Sequence, residues 1–113
     1  MHLATVTSAR NDTDIIAPMI KANIEFGVLL LDALSRCDAM KLFVNTGSFA
    51  EFRYGNGKYD AAYLYTASKT AFRSFVDYYS NLCGYKYITA IPYSVYGGKN
   101  DRKAFRWIIS KNR

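Results

Sequence analysis

Apolar residues recur every three or four positions in two long segments of the chain, which predicts two amphipathic helices. The first spans residues 14–37, where Asp14 or Thr13 is placed to cap the N-terminus and a wide apolar face is expected to be buried. The second spans residues 60–82, and Gly84 is placed to end it because glycine accepts the left-handed backbone of a helix stop. A shorter amphipathic segment follows at residues 102–110.

Short apolar segments between these helices predict buried strands at residues 1–6, 41–47 and 86–92. Alternation of strand and helix at this spacing gives right-handed crossovers and a parallel sheet. We therefore predict an α/β fold, a partial Rossmann-like parallel sheet of about three strands with flanking helices. The polar segment 48–63, which contains Gly55 and Gly57, is expected to be a loop over the carboxyl end of the middle strand.

With 113 residues and 50% hydrophobic content, the chain is one domain at most, or part of one. Its net charge of +6 comes from scattered lysines and arginines, and only residues 99–113 are locally basic. This distribution makes nucleic-acid binding the weakest of the functional hypotheses, whereas it suits a small ligand that carries phosphates.

The cysteines and the single histidine, His2, do not have the spacing of a metal site. Cys37 and Cys83 are predicted to be small buried hydrophobic residues of a reducing compartment, with a disulfide as the alternative. The sequence shows neither a secretory leader pattern nor an apolar run long enough to cross a membrane, so we expect a cytoplasmic protein without membrane contact.

The candidate chemistry lies in segment 65–69, at the start of the second predicted helix. Tyr65 and Lys69 would lie one helical turn apart on the same face, with about 6 Å between their Cβ atoms. A nearby ammonium favours the phenolate and brings the pKa of a tyrosine towards the neutral range, which makes it a general acid or base. Tyr54 and Lys58 have the same spacing, but the two glycines between them indicate a loop.

Several segments resemble the extended short-chain dehydrogenase/reductases, the NAD-dependent epimerases and dehydratases, in the order in which that family has them. They are His2-Leu3-Ala4, Asn23-Ile24-Glu25-Phe26-Gly27 followed by Leu30-Leu31-Asp32-Ala33, Phe43-Val44-Asn45-Thr46-Gly47-Ser48, Tyr65-Thr66-Ala67-Ser68-Lys69 and Tyr93-Ser94-Val95-Tyr96-Gly97-Gly98. The combination of residues 45–51 with residues 91–98 looks most like the CDP-abequose synthase-type reductases.

The resemblance implies a Ser-Tyr-Lys acid/base site, an NAD or NADP cofactor and a nucleotide-sugar substrate. By it, Tyr65 exchanges a proton with the sugar, and Lys69 lowers the pKa of Tyr65 and binds the nicotinamide ribose. Ser48 holds the reacting oxygen, although the neighbouring hydroxyl of Thr46 is an alternative. The cofactor would also contact Leu3, Ala4, Asn23, Tyr65 and Tyr93, and the substrate would contact Ser48 and Ser94.

The family's glycine-rich phosphate loop and its C-terminal substrate domain have no counterpart in this sequence. We therefore expect residues 1–113 to be the central part of an NAD(P)-binding domain, too truncated to be active alone. The alternative is an inactive remnant that acts as a binding or assembly module, either as a homodimer or with a missing complementary segment. Each site residue also has a structural interpretation: Tyr65 in the core, Lys69 as a solvated lysine, Ser48 in a turn.

Overall fold

The computed structural model of the chain describes His2 and residues 4–93. Its elements in chain order are α1 (Thr13–Ile20), a π-helical segment (Lys21–Glu25), α2 (Phe26–Ser35), β1 (Leu42–Thr46), a 3₁₀-helix (Phe49–Glu51), α3 (Leu64–Cys83) and β2 (Lys86–Ala90). The predicted segment 102–110 and the predicted site residues Leu3 and Ser94 lie outside the described residues.

The sheet confirms the predicted α/β class, because β1 and β2 pair in parallel from Leu42 opposite Lys86 to Thr46 opposite Ala90. On the other side of β1, the His2 N–H donates to the carbonyl of Val44 at 3.0 Å. Within the described residues, the strand predicted at residues 1–6 consists of this single parallel bridge, and the sheet proper has two strands. The carboxyl end of β1 therefore has a neighbouring segment on each side.

The first predicted helix forms over Thr13–Ser35, but the wide buried face expected for it is wrong. Its buried residues form one narrow stripe at four-residue intervals, Met19, Asn23, Gly27 and Leu31. Ile16 and Ile20 are 44% and 39% exposed. The stripe is narrow because a single helix, α3, packs along this side of α1, the π-helical segment and α2.

The core lies between α2, α3 and the sheet, where five buried side chains meet: Leu31, Phe43, Phe72, Val76 and Tyr85. Gly27 allows α2 to approach α3 closely, since a Cβ at this position would lie 2.4 Å from Cε2 of Phe72. The contact between Gly27 and the Phe72 ring sets the position of α3 relative to α2. It thereby also sets the position of the other side chains of α3.

The second predicted helix begins four residues later than expected, at Leu64 rather than at Asp60. The backbone of Asp60 bonds instead to the loop, since its N–H donates to Glu51 O at 2.9 Å and its carbonyl accepts from Arg53 N at 3.2 Å. The helix ends as predicted, with Gly84 in the left-handed conformation at φ 74°.

The prediction that both cysteines are buried is wrong: Cys37 and Cys83 are exposed free thiols. Cys37 follows the C-terminal end of α2 and Cys83 is the last residue of α3, and both helix ends lie at the surface. Within the part of the chain that the structure describes, no helix has the length and apolar character needed to cross a membrane.

Candidate active site

Ser48 lies in a tight turn just beyond the carboxyl end of β1. Its Oγ accepts a hydrogen bond from the Ala50 N–H at 3.3 Å, and its own N–H donates to Oε1 of Glu51 at 2.6 Å. These two bonds form a capping box that begins the 3₁₀-helix. The turn therefore holds the Ser48 side chain at the carboxyl end of β1, and no acceptor among residues 4–93 takes its hydroxyl proton.

Tyr65 and Lys69 occupy consecutive turns of α3, as the sequence predicted. Lys69 Nζ lies 5.8 Å from the centre of the Tyr65 ring and donates to the carbonyl of Thr46 at 3.1 Å. The start of α3 is fixed because Thr66 Oγ1 accepts from the Tyr63 N–H, and Asn11 Oδ1 accepts from the Leu64 N–H. The helix therefore brings a phenol and an ammonium to the end of β1.

Lys69 is only 6% exposed, which is unusual for a lysine. This burial lowers the pKa of the Lys69 ammonium, and the carboxylate of Glu51 opposes the shift. Lys69 is therefore not the solvated surface lysine of the structural interpretation. A buried amine whose pKa moves towards neutrality is suited to taking part in proton transfer.

Asn23 lies in the π-helical segment and is 3% exposed. Its Oδ1 accepts from the Val6 N–H at 2.7 Å, while its Nδ2 donates to Val6 O and to Ser68 Oγ, both at 3.0 Å. The amide thus ties the segment after His2 to α3, one residue before Lys69. Both polar atoms of the Asn23 amide form hydrogen bonds within the protein. These bonds hold neighbouring parts of the chain in place and do not point to a ligand.

Two of the other predicted cofactor residues, Ala4 and Tyr93, lie at the surface. Ala4 is exposed, and Tyr93 is 77% exposed with its ring stacked on Phe49 at 5.4 Å between centroids. The stack closes one wall of an open cleft of about 470 Å³ that is lined by Phe49, Phe52, Arg53, Gly55, Gly57, Ile91 and Tyr93. This cleft adjoins the Ser48 turn.

Sequence reasoning missed Glu51 and Arg73, which form a buried ion pair beside these residues. Arg73 Nε donates to Glu51 Oε2 at 2.9 Å and Nη2 donates to Oε1 at 3.1 Å. Two signals point to this pair: Glu51 stands three residues after Ser48, as in a capping box, and Arg73 stands four residues after Lys69 on the same helix face.

The model of the NAD dependent epimerase/dehydratase family matches residues 1–112, and the chain therefore belongs to that family. No curated protein and no solved structure matches it at a significant level. The family description implies a nicotinamide dinucleotide as the cofactor. The α/β fold with its parallel strands agrees with this membership.

Among the described residues, Lys69 has the donors that hydroxyl groups of such a cofactor require. The Lys69 ammonium carries three N–H donors, and within the described residues only Thr46 O accepts one of them. Two donors of a largely buried cation therefore remain for hydroxyl groups of a ligand. The same part of the chain contains no glycine-rich turn that leads from a strand into a helix, so the described residues do not provide the usual site for a pyrophosphate.

Proposed function

We propose that this chain provides the acid/base half of an NAD(P)-dependent nucleotide-sugar epimerase, dehydratase or reductase. The observation that carries the proposal is the buried Lys69 ammonium beside the Tyr65 ring at the carboxyl end of β1. Residues 1–113 are then the central part of an NAD(P)-binding domain. The subgroup that we propose is that of the CDP-abequose synthase-type reductases, from the resemblance of residues 45–51 and 91–98.

In the proposed reaction, Tyr65 Oη exchanges a proton with a hydroxyl or carbonyl oxygen of the sugar. The Lys69 ammonium stabilises the phenolate form of Tyr65 through its charge, and its remaining donors would hold the hydroxyl groups of the nicotinamide ribose. Ser48 Oγ donates to the reacting oxygen and orients it towards Tyr65. When bound, the dinucleotide supplies the hydride acceptor or donor.

The remaining predicted contacts belong to the same proposal. Leu3 and Ala4 would line the cofactor, Tyr93 would face the nicotinamide, and Ser94 would contact the substrate. Asn23 would act at the cofactor site through Ser68 and the backbone of Val6, which it holds.

The test is a titration of the 113-residue chain with NADH and with NADPH, followed by nicotinamide emission. We expect saturable binding of one of them that weakens at least about tenfold in Lys69→Ala, because a buried donor to the ribose is lost. Lys58→Ala is the matched control, since Tyr54 and Lys58 have the same spacing in the exposed loop. Tyr65→Phe should keep the affinity, because it retains the ring and the Lys69 ammonium.

Equal affinities in Lys69→Ala and Lys58→Ala would refute the assignment of Lys69. Absence of binding by the folded chain would favour the second candidate, an inactive remnant that acts as an assembly module. One observation supports that candidate: Leu42 and Ile88, on the sheet face opposite the buried Phe43, are 50% and 55% exposed. Sedimentation equilibrium distinguishes the two, because an assembly module would form a defined oligomer whereas a monomer excludes it.

A further inference from the structure

Glu51 is a fully buried carboxylate, with 0% of its surface exposed. Four hydrogen bonds hold it: from the Ser48 N–H, from Nε and Nη2 of Arg73, and from Thr70 Oγ1 at 3.0 Å. Burial of an ionised carboxylate is costly unless its oxygens are paired in this way. The arrangement therefore fixes the orientation of the carboxylate closely.

Arg73 is held as firmly as its partner. The guanidinium binds both carboxylate oxygens, and its Cζ lies 5.6 Å from the ring centres of both Phe52 and Tyr59. These two rings stack on one another at 5.1 Å, so the loop after the 3₁₀-helix closes over the ion pair. The Arg73 side chain is 16% exposed, and little solvent screens its charge.

The ion pair joins the two elements that carry the proposed catalytic groups. Tyr65, Lys69 and Arg73 follow one another at four-residue intervals on one face of α3. Glu51 binds the last of these residues and also the backbone of Ser48. Gly47 makes room for the contact, since a Cβ there would lie 2.5 Å from Arg73 Nη2 and 2.7 Å from Glu51 Oε1.

We propose that Glu51 is a positioning residue: its carboxylate, anchored by Arg73, holds the Ser48 turn against the face of α3 that presents Tyr65 and Lys69. The inference rests on the proposed function for the roles of those three residues. Two parts of the inference do not depend on a cofactor or a substrate: Glu51 fixes the conformation of the Ser48 turn, and its charge acts on Lys69.

The same carboxylate acts electrostatically on Lys69. Burial lowers the pKa of Lys69 and Glu51 raises it, so Glu51 offsets part of the cost of keeping the ammonium in the site. The other charged or titratable groups around Lys69 are His2 beside β1 and, on its own helix, Tyr65 and Arg73. Among the described residues, Glu51 is the negative charge that raises the pKa of Lys69.

The experiment distinguishes the effect of the length of the Glu51 side chain from the effect of its charge. Glu51→Gln keeps the length and removes the charge, whereas Glu51→Asp keeps the charge and shortens the reach by one methylene. Two quantities are measured by NMR on the free chain: the titration of Lys69, followed through its Cε carbon and assigned by its loss in Lys69→Ala, and the hydrogen exchange of the Ser48 amide.

In Glu51→Gln we expect the titration midpoint of Lys69 to shift to lower pH. In Glu51→Asp we expect this midpoint to stay near that of the wild type, while the Ser48 amide exchanges about tenfold faster because its charge-assisted bond is lost. Asp60→Asn is the matched control, since Asp60 also pairs with an arginine, Arg53, but lies in the loop and is half-exposed. It should change neither quantity.

An unchanged Lys69 titration in a folded Glu51→Gln variant would overturn the inference, because a purely structural carboxylate would not move it. If Glu51→Gln does not fold, Glu51→Asp still decides: a Ser48 amide that stays fully protected would overturn the positioning role. Neither measurement uses NADH, so failure of the cofactor titration refutes the proposed function and leaves this inference standing.

Discussion

Gly27→Ala is the most direct test of how α2 sets the position of α3. A Cβ at residue 27 would lie 2.4 Å from Cε2 and 2.7 Å from Cζ of Phe72, whereas ordinary contacts are 3.4–4 Å. The ring would have to move by about 1 Å or the helices would have to separate. Phe72 is 2% exposed and its ring lies 5.6 Å from that of His2, so there is little space for it to move.

Two effects of opposite sign determine the change in stability. Overpacking of a core costs about 1–3 kcal/mol, and the contact here is short enough for the upper part of that range. Replacement of glycine by alanine inside a helix contributes about 1 kcal/mol of stabilisation. We therefore expect Gly27→Ala to lower the free energy of unfolding by about 1–2 kcal/mol, as measured by urea unfolding with far-UV circular dichroism.

The Phe72→Leu background isolates the steric part of this effect. Leucine has no atoms in the places of Cε2 and Cζ, so Gly27→Ala in that background should be neutral or stabilising by up to about 1 kcal/mol. A reversal or loss of the destabilisation between the two backgrounds would confirm that the ring contact is its cause. Equal effects in both backgrounds, or a stabilised Gly27→Ala single variant, would refute the reasoning.

Three further predictions concern the residues around the site and the core. Gly47→Ala should lower the free energy of unfolding by about 2–3 kcal/mol in urea, because its Cβ displaces the Glu51–Arg73 pair; a loss below about 0.5 kcal/mol would contradict this. Burial and, to a smaller extent, the charge of Lys69 lower the pKa of His2 in the folded chain. Near pH 6 the unfolded chain therefore binds more protons than the folded chain, and the free energy of unfolding should fall as the pH drops below about 6.5. His2→Phe should lose less stability than the wild type between pH values of about 7.5 and 5, and parallel pH profiles would count against the assignment. Tyr85→Phe should raise the free energy of unfolding by about 1 kcal/mol, because the buried Tyr85 hydroxyl has no hydrogen-bond partner among the described residues; a decrease above about 1 kcal/mol would show that it has one.

Elements whose signals are local could be predicted from the sequence. The end of α3 at Gly84 and the two strands followed from glycine chemistry and short apolar segments. The start of α3 could not be predicted, because the backbone of Asp60 bonds to Glu51 and Arg53 and so leaves the helix. The narrow buried stripe of α1 and α2 depends in the same way on a partner, α3, that is distant in sequence.

In the candidate site too, local features could be predicted from the sequence, whereas contacts between distant segments could not. The four-residue interval between Tyr65 and Lys69 is a property of one helix, so the pair could be recognised before the structure was known. The pair of Glu51 and Arg73 joins two elements 22 residues apart, and periodicity contains no information on such contacts. Its sequence signal was nevertheless present, because Ser48 and Glu51 have the spacing of a capping box.

The structure also bears on which hydroxyl, that of Ser48 or that of Thr46, can reach a substrate. Thr46 Oγ1 is buried and has no hydrogen-bond partner among the described residues, so a ligand could contact it only after β1 or its surroundings had moved. Ser48 is partly exposed, and among the described residues its oxygen accepts only a long bond from Ala50 and its hydroxyl proton has no acceptor. This difference in access is the reason why the proposed reaction assigns the reacting oxygen to Ser48 rather than to Thr46.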